Sequence, residues 1–211
     1  MQGDWPAAEA SVRRMIEVAL LAEHEQVART GHMLASGILD AQGRSREARS
    51  CRLERLSLED PLTGLPNRRH FERELASLLR PGQQLAEPLS IALIDVDRFK
   101  EINDLHSHVL GDRVLKALAG LIGTQVRQGG LPARLGGDEF VVLFRRAGVG
   151  VAAAACERLK AAVSRYPWHE LVPGMAVTVS IGLAESTAGD TIESLLRRSD
   201  DDMHRAKASR G

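Results

Sequence analysis

Apolar residues recur every three or four positions in the first part of the chain, between about residue 6 and residue 39. For the first six of them this spacing predicts an amphipathic helix with a narrow apolar stripe. The apolar positions are Ala8, Val12, Met15, Ile16, Ala19, Ala22, Val27, Leu34 and Ile38. A stripe this narrow cannot enclose a core, so the region requires a partner helix, either within the chain or from a second copy.

A break in the pattern follows this stripe. Gly43 fits the C-terminal end of the first helical region, and Ser45 can cap a second helix. A cluster of turn residues beginning at Asp60 then marks another boundary. We therefore expect an N-terminal helical region over residues 1–44, a linker helix over 45–58 and one larger domain over 59–211.

Beyond residue 60 the pattern alternates between helical spacing and short apolar runs. The predicted elements are a helix capped by Asn67 that ends at Pro81, a strand over 89–95, a helix through Val109 and Ile122, a hairpin over 131–145, a helix from about Val151 to Ser164, a strand over 175–183, and a helix from Thr191 to about Ser209 capped by Asp190. This β-α-β-β-α-β order predicts an α+β fold with a ferredoxin-like sheet, flanking helices and an N-terminal helical stem. In that layout the end of the first strand lies beside the hairpin tip.

Composition narrows the classes of function. Lys+Arg and Asp+Glu are balanced at 28 each, so no overall basic field points to nucleic acid or an anionic membrane. Two cysteines, Cys51 and Cys156, fit a reducing compartment better than a disulfide framework. The apolar run over 18–22 is too short to span a bilayer. We expect a cytoplasmic chain with no membrane or nucleic-acid partner.

The predicted hairpin carries Gly136-Gly137-Asp138-Glu139 at its tip. Adjacent carboxylates repel unless a cation lies between them, although a solvated acidic tip is also compatible with this run. Asp95 would lie near Asp138, and oxygen ligands of this kind suit Mg²⁺ or Mn²⁺. Asp97 has two interpretations: a second carboxylate on the same face of the strand, or the N-cap of the next helix.

The motifs taken together resemble those of the GGDEF-domain diguanylate cyclases. They agree in order and spacing from about residue 58 to 211. They are Asp60-Pro61-Leu62-Thr63-Gly64-Leu65-Pro66-Asn67, Asp95-Val96-Asp97-Arg98-Phe99-Lys100-Glu101-Ile102-Asn103-Asp104 with His108 and Gly111-Asp112, Gly136-Gly137-Asp138-Glu139-Phe140, Val177-Thr178-Val179-Ser180-Ile181-Gly182 and Ala206-Lys207.

The resemblance implies a palm-type nucleotidyl-cyclase sheet and a diguanylate cyclase activity. Two GTP molecules would face each other across a homodimer and condense to cyclic di-GMP and two pyrophosphates, with Mg²⁺ or Mn²⁺ as the cofactor. The alternative is a catalytically silent GGDEF domain that binds GTP or cyclic di-GMP and signals by contact. Silent versions usually lose an acid or a glycine of the signature, and this chain keeps all five of its residues.

The resemblance also assigns roles to individual residues. It implies metal ligands at Asp95, the Val96 carbonyl and Asp138; catalytic residues at Asp138, Lys100 and Glu139; and substrate contacts at Asn103, His108, Asp112, Gly136, Gly137 and Lys207. Asn103 and Asp112 would read guanine, because a carboxylate accepts hydrogen bonds from the guanine edge and adenine offers no such edge.

Three positions depart from the family pattern. The product-inhibition motif R-x-x-D reads Arg127-Gln128-Gly129-Gly130, so the arginine stands without its aspartate and we expect weak product inhibition. Ser107 stands where the family usually has glycine. The tail has His204 where tyrosine is usual. None of these changes removes a predicted metal ligand or guanine contact.

Overall fold

The computed structural model separates two compact units, Met1–Glu59 and Asp60–Gly211. It describes residues 7, 8, 10–15, 33, 34, 38, 58–79, 87–126, 129–172, 174 and 176–208. In the first unit the described residues through residue 38 are helical, and Ala8, Val12 and Met15 are the less exposed ones in the first segment, as the predicted stripe requires. The boundary predicted at residue 44 lies outside the described residues.

The second unit contains five α-helices and four strands among its described residues. They are α1 (Arg68–Leu78), β1 (Leu89–Val96), α2 (Phe99–His106), α3 (His108–Gln125), β2 (Gly130–Gly136), β3 (Glu139–Arg145), α4 (Val149–Arg165), a 3-10 turn (Trp168–Glu170), β4 (Val179–Glu185) and α5 (Ile192–Ala208). No helix in this described part, or in the described part of the first unit, is both long and apolar enough to cross a bilayer.

The four strands form one sheet in the order β2-β3-β1-β4. Each neighbouring pair is antiparallel, with Asp95 opposite Glu139 at one end of the β1–β3 pair and Val96 opposite Val179 at the same end of the β1–β4 pair. This strand order confirms the predicted ferredoxin-like α+β fold.

Strand β1 is buried on both faces, which explains its nearly continuous apolar sequence. On one face Ala92 and Ile94 pack with α3 and α4 in the larger core. On the other face Ile91 and Leu93 pack with residues of α1 and α5 in a second core. Both faces of the sheet are therefore covered by helices of the described part of this unit.

Helix α1 begins as the sequence predicts. The side chain of Asn67 accepts a hydrogen bond from the N–H of His70, which is the contact expected of an N-cap residue. Phe71 and Leu75 are fully buried on one side of this helix. Cys156 is also buried, on α4, and burial raises the pKa of its thiol to about 12, so it remains protonated and unreactive.

Two predicted boundaries near the C-terminus are wrong. Strand β4 begins at Val179 rather than at residue 175, and it continues to Glu185. The N-cap of α5 is Thr191, because its hydroxyl accepts from the N–H of Ser194, while Asp190 binds the hydroxyls of Thr187 and Ser194. Both residues are good caps, so their sequence could not decide between them.

The helix predicted after β1 is divided into two. Ser107 separates α2 from α3 and has φ 114° and ψ 157°. Four apolar positions of α3 are buried as expected: Val114, Leu115, Leu118 and Ile122. Val109 is different, since 73% of it is exposed. The position of Val109 in the first turn of α3, next to the break, keeps it off the core face.

Candidate active site

The end of β1 and the tip of the β2–β3 hairpin lie side by side. The β1–β3 pairing ends with Asp95 opposite Glu139, so Asp138, one residue earlier in the hairpin, comes close to Asp95. Burial raises the pKa of the Asp138 carboxyl, and the negative charge of Asp95 raises it further, against the opposing charges of Lys207 and Arg134. The carboxylates of Asp95 and Asp138 therefore lie close together in one partly buried site.

A lysine from the last turn of α5 reaches the same place. Lys207 Nζ lies 2.6 Å from Asp95 Oδ2, in an ion pair whose two side chains are 37% and 19% exposed. Because α5 packs against β1 and β4, this helix brings Lys207 over the strand end from a position 112 residues away in the sequence. We call the group Asp95, Val96, Asp138 and Lys207 the metal corner.

The Val96 carbonyl belongs to the metal corner because of its direction. The N–H of Asp97 donates to the Thr178 carbonyl, with 3.0 Å between nitrogen and oxygen. A planar peptide points its N–H and C=O to opposite sides, so the Val96 carbonyl points away from β4. Since β1 lies between β4 and β3, that direction is toward β3 and the hairpin tip. Val96 also lies one residue beyond the last β1–β3 pair.

These groups fit a hard divalent cation. Two carboxylates and a backbone carbonyl are oxygen donors of the kind that Mg²⁺ and Mn²⁺ bind. Among the residues that the structure describes, no group of three or more His, Cys, Asp or Glu side chains is arranged to hold an ion. A cation held by Asp95, Asp138 and the Val96 carbonyl would therefore complete its coordination with oxygens from a ligand, such as phosphate, or from water.

The hairpin tip is kept open by its glycines. Gly136 has φ 147° and Gly137 has φ 54°, and a Cβ built at either position would meet nothing within 4 Å. Positive φ is the reason these positions favour glycine, and the open space above them is available to a ligand. Glu139 follows directly and is the first residue of β3.

Arg134 holds the tip in place, and sequence reasoning did not identify it. Its guanidinium donates to the Gly137 carbonyl from Nε at 3.0 Å and from Nη2 at 2.7 Å. It also donates to both carboxylate oxygens of Asp60, at 3.0 and 3.1 Å. Although burial acts in the opposite direction, hydrogen bonds from Thr63 and Arg134 hold the pKa of Asp60 below its usual value. Arg134 thus connects the turn at the start of this unit to the tip.

Asp97 is neither of the two things that the sequence suggested. The N-cap position of α2 is occupied by Arg98, in the left-handed region at φ 57° and without a side-chain capping bond. The two carboxylate oxygens of Asp97 instead accept one hydrogen bond each, from Thr178 Oγ1 and from Ser180 Oγ, both at 2.6 Å. Its carboxylate is thus directed to β4 and does not join Asp95 and Asp138.

The predicted base-reading residues lie on α2 and on the first residues of α3. We call residues 99–112 the base segment. Asn103 is half-buried, whereas His108 and Asp112 are exposed. Gly111 is buried at this junction, and a Cβ there would lie 2.1 Å from Asn103 Oδ1. Glycine at position 111 is therefore necessary for the observed position of the Asn103 amide. In the sequence, the importance of Gly111 was indicated only by its place in a family motif.

Ser107 gives the base segment a strained connection. Its φ and ψ of 114° and 157° fall in a region that is essentially restricted to glycine. Its N–H donates to the Asn103 carbonyl at 3.0 Å, and its carbonyl accepts from Gly111 at 3.1 Å. The backbone of Ser107 therefore links the end of one helix to the start of the next.

The structure groups some of the predicted residues more closely than others. The metal corner and the adjacent Glu139 and glycine tip lie together at one end of the sheet. Lys100 is exposed on α2, and its side chain makes no hydrogen bond or ion pair with another described residue. Arg127 lies outside the described residues. A groove of about 870 Å³ is lined by described residues that include Gly129, Arg145 and Arg158.

Comparison with known proteins identifies the family of the second unit. The family described as "Diguanylate cyclase, GGDEF domain" matches residues 57–211. Response regulator PleD of Caulobacter vibrioides is 40% identical over 160 residues, which are 73% of this chain and 35% of PleD. Diguanylate cyclase DgcP of Pseudomonas aeruginosa is 38% identical over 155 residues, 72% of this chain and 22% of DgcP. The chain thus spans only about a third or less of these curated relatives.

Solved structures give the same result. Diguanylate cyclase SiaD of Pseudomonas aeruginosa, in complex with its activator SiaC, superposes with a TM-score of 0.69 at 30% identity and covers 95% of this chain and 76% of its own. The coiled coil and GGDEF domain of DgcB from Caulobacter crescentus, in complex with c-di-GMP, gives 0.70 at 29% identity, covering 83% and 95%. The chain belongs to the family of diguanylate cyclase GGDEF domains.

Proposed function

We propose that this chain is an active diguanylate cyclase, which condenses two GTP molecules into cyclic di-GMP and releases two pyrophosphates. The observation that carries the proposal is the metal corner: Asp95 and Asp138 lie together under a glycine tip, with Lys207 beside them. A chain of this family that keeps both carboxylates and both glycines retains the groups that phosphoryl transfer requires.

In the proposed reaction the ribose 3′-oxygen of each GTP attacks the α-phosphorus of the other. A new P–O bond forms, the bond to the β-phosphate bridging oxygen breaks, and pyrophosphate leaves. Asp138 would accept the proton of the 3′-hydroxyl, and the adjacent Glu139 would be a further catalytic residue, as the family resemblance implies. Lys100 and Lys207 would stabilise the charge that develops on the phosphate oxygens. Bound Mg²⁺ or Mn²⁺ would polarise the phosphate and lower the charge repulsion at the corner.

The base segment would supply specificity. Asn103 and Asp112 would bind the Watson–Crick edge of guanine, with His108 lining the same pocket. Gly136 and Gly137 leave open space above the tip, where the phosphates would lie. Lys207 pairs with Asp95 in this structure, so it would have to turn from the carboxylate toward phosphate when nucleotide binds. An ion pair that is 37% exposed on the lysine side leaves such a movement inexpensive.

The proposed reaction requires two copies of the chain. One domain offers one metal corner and one base segment, whereas the product is made from two GTP molecules. The helical stem over residues 1–58 would hold the two copies together and raise their effective concentration to roughly millimolar. Activity per chain should therefore fall on dilution, and a chain that starts at Leu58 should lose activity at much higher concentrations than the full chain. Equal specific activity of both chains at submicromolar concentration would contradict a role of the stem in dimerisation.

The deciding experiment is incubation of the purified chain with GTP and Mg²⁺, followed by chromatography and mass spectrometry for cyclic di-GMP. We expect product from GTP, none from ATP, and none in the presence of a chelator. Asp190→Ala is a matched control, because it removes a carboxylate at the far end of α5 from Lys207. If GTP or cyclic di-GMP binds but no product forms, the chain is a silent GGDEF domain and the proposal is wrong.

A further inference from the structure

The carboxylate of Asp97 is held at the end of β1 without a place in the proposed chemistry. Both of its oxygens are engaged by hydroxyls of β4 and the residues just before it, at 2.6 Å from Thr178 Oγ1 and 2.6 Å from Ser180 Oγ. Ser180 is 1% exposed. Hydroxyl-to-carboxylate bonds of this length are charge-assisted and stronger than neutral ones. They fix Asp97 to β4 at the point where β1 leaves the sheet.

This attachment matters because β1 is held on one side only at its end. Pairing with β3 stops at Asp95, whereas on the other side Val96 pairs with Val179 and the Asp97 N–H donates to Thr178. The chain then turns sharply at Arg98, which is in the left-handed region. Three hydrogen bonds therefore hold Asp97 just before this turn: its carboxylate accepts from Thr178 and from Ser180, and its N–H donates to the Thr178 carbonyl.

These bonds also set the direction of a proposed metal ligand. The N–H of Asp97 and the C=O of Val96 belong to the same planar peptide. As long as the N–H points to Thr178, the carbonyl points toward the hairpin tip that carries Asp138. If Asp97 lost its hold on β4, this peptide could rotate and the carbonyl would lose its fixed direction.

We propose that Asp97 is a positioning residue of the metal site: its carboxylate, bound by Thr178 and Ser180, fixes the Val96–Asp97 peptide so that the Val96 carbonyl faces the cation. The inference rests on the proposed function, since it concerns the cation of that same site. It assigns to Thr178 and Ser180 a role that reaches the metal only through Asp97. Partners of metal ligands usually affect metal affinity about 10- to 100-fold.

The test is Mn²⁺ binding to the full chain in the presence of a non-hydrolysable GTP analogue, measured by electron paramagnetic resonance. We expect Asp97→Ala and the double variant Thr178→Val with Ser180→Ala each to weaken Mn²⁺ binding by about 10- to 100-fold. Asp97→Asn should stay near the parent, because an amide oxygen still accepts from one hydroxyl and the amide nitrogen can donate to the other.

Asp190→Ala is the matched control for stability. Asp190 also accepts hydrogen bonds from two hydroxyls, those of Thr187 and Ser194, but it precedes α5 while Lys207 is in the last turn of that helix. A separation of 17 residues is about 25 Å along a helix. Asp190 also pairs with Arg198 and accepts from the N–H of Thr187, so thermal unfolding of this variant gives an upper value for the cost of losing such a carboxylate. Its Mn²⁺ affinity should equal that of the parent.

The double variant separates positioning from two other roles. If Asp97 bound the cation itself, or acted only through its charge, removal of the two hydroxyls would leave Mn²⁺ affinity unchanged, and the proposal would be overturned. Parental affinity in Asp97→Ala would overturn it as well. Should these variants fail to fold, Thr178→Val alone decides: it removes one exposed hydroxyl, and an unchanged affinity contradicts the proposal. If the parent itself binds no Mn²⁺ with the analogue, the proposed function fails too.

Discussion

The metal corner and the base segment are built in different ways. Asp95 and Val96 are the last residues of β1, whose backbone is fixed by pairing in the sheet, and Lys207 forms an ion pair with Asp95. Asp138 is in the hairpin turn, which Arg134 holds through its hydrogen bonds to the Gly137 carbonyl. In the base segment, by contrast, the side chains of Asn103, His108 and Asp112 make no hydrogen bond or ion pair with any other described residue. The carboxylates and the Val96 carbonyl of the corner are thus brought together before a ligand arrives, and only Lys207 has to turn, whereas the base segment offers open hydrogen-bonding groups.

This difference has a physical reason. The carboxylates at this end of the sheet lie close together and repel each other. The many backbone hydrogen bonds of the sheet offset this repulsion. Base-reading groups must instead stay available for the ligand, and exposed positions on helices keep them hydrated until it binds. The chemistry should therefore depend on the corner, and the choice of nucleotide should depend on the base segment.

The largest expected effect is loss of turnover in Asp138→Ala and in Asp95→Ala. Each would remove a proposed oxygen ligand of the cation, and cation-assisted stabilisation of phosphate charge is worth several kcal/mol, or at least about a hundredfold in rate. Cyclic di-GMP formation in saturating GTP and Mg²⁺ measures this directly. The variants should keep the affinity of the parent for guanosine, and near-parental turnover in either one would show that the corner is not the reaction centre.

The next effect concerns the choice of base. Asn103→Ala and Asp112→Ala would each remove a proposed partner of guanine. We expect a loss of about 0.5–1.5 kcal/mol for the neutral amide and about 1.5–3 kcal/mol for the carboxylate, or roughly 2- to 10-fold and 10- to 100-fold in the preference for GTP over ATP. Competition binding of the two nucleotides measures that ratio. Asp104→Ala is the control, because Asp104 is an exposed neighbour of Asn103 on α2. An equal loss of affinity for both nucleotides would place these residues on the phosphates instead of on the base.

The fold and the general position of the site could be predicted because they depend on strong local patterns. The apolar run of β1 and the glycines between the two arms of the hairpin define three strands, and the alternation of elements then leaves one ferredoxin-like arrangement. The proximity of Asp95 and Asp138 follows from this topology. The family resemblance added the assignment of roles, which the pattern of apolar residues does not contain.

What could not be predicted depends on contacts between distant segments. The bond between Arg134 and Asp60 joins residues 74 positions apart, and neither residue carries a signal for the other. The partners of Asp97 depend on where β4 begins, and the predicted start of that strand was four residues too early. Ser107 is different, because its unusual backbone could have been anticipated from the sequence. The family usually has glycine at this position, and the serine has a backbone conformation typical of glycine.

The cost of preorganisation should appear in the pH dependence of stability. Burial and the charge of Asp95 raise the pKa of Asp138, so the folded chain holds that proton more tightly than the unfolded chain. Its contribution to the free energy of unfolding is therefore greatest below the unfolded pKa of about 4 and is lost as pH rises through the folded pKa. Without divalent cations, Asp138→Asn should melt at a higher temperature than the parent at pH 7, and at the same temperature below about pH 4.

Asp60→Asn gives the opposite sign and serves as the control. Hydrogen bonds from Thr63 and Arg134 hold the pKa of Asp60 below its usual value, despite burial, so its ionised form stabilises the fold above about pH 4. This contribution is lost as pH falls through the folded pKa. Asp60→Asn should therefore lower the melting temperature at pH 7. If both variants shifted it in the same direction, the melting temperature would reflect packing at the tip and not the two carboxylate charges.

The smallest effect on turnover, about twofold or less, is expected from Ser107→Gly, which removes the strain between α2 and α3. The serine conformation costs of order 1–3 kcal/mol, and the greater freedom of glycine in the unfolded chain returns about 0.5–1 kcal/mol of that. The free energy of unfolding should rise by about 0.5–2 kcal/mol in urea titrations. Arg146→Gly is the comparison, because Arg146 at φ 55° occupies the ordinary left-handed region and should gain less. A lower stability of Ser107→Gly would mean that the serine side chain supports the junction. A rise in the Michaelis constant for GTP would mean that the serine backbone fixes the base segment before binding, which would weaken the contrast with the metal corner.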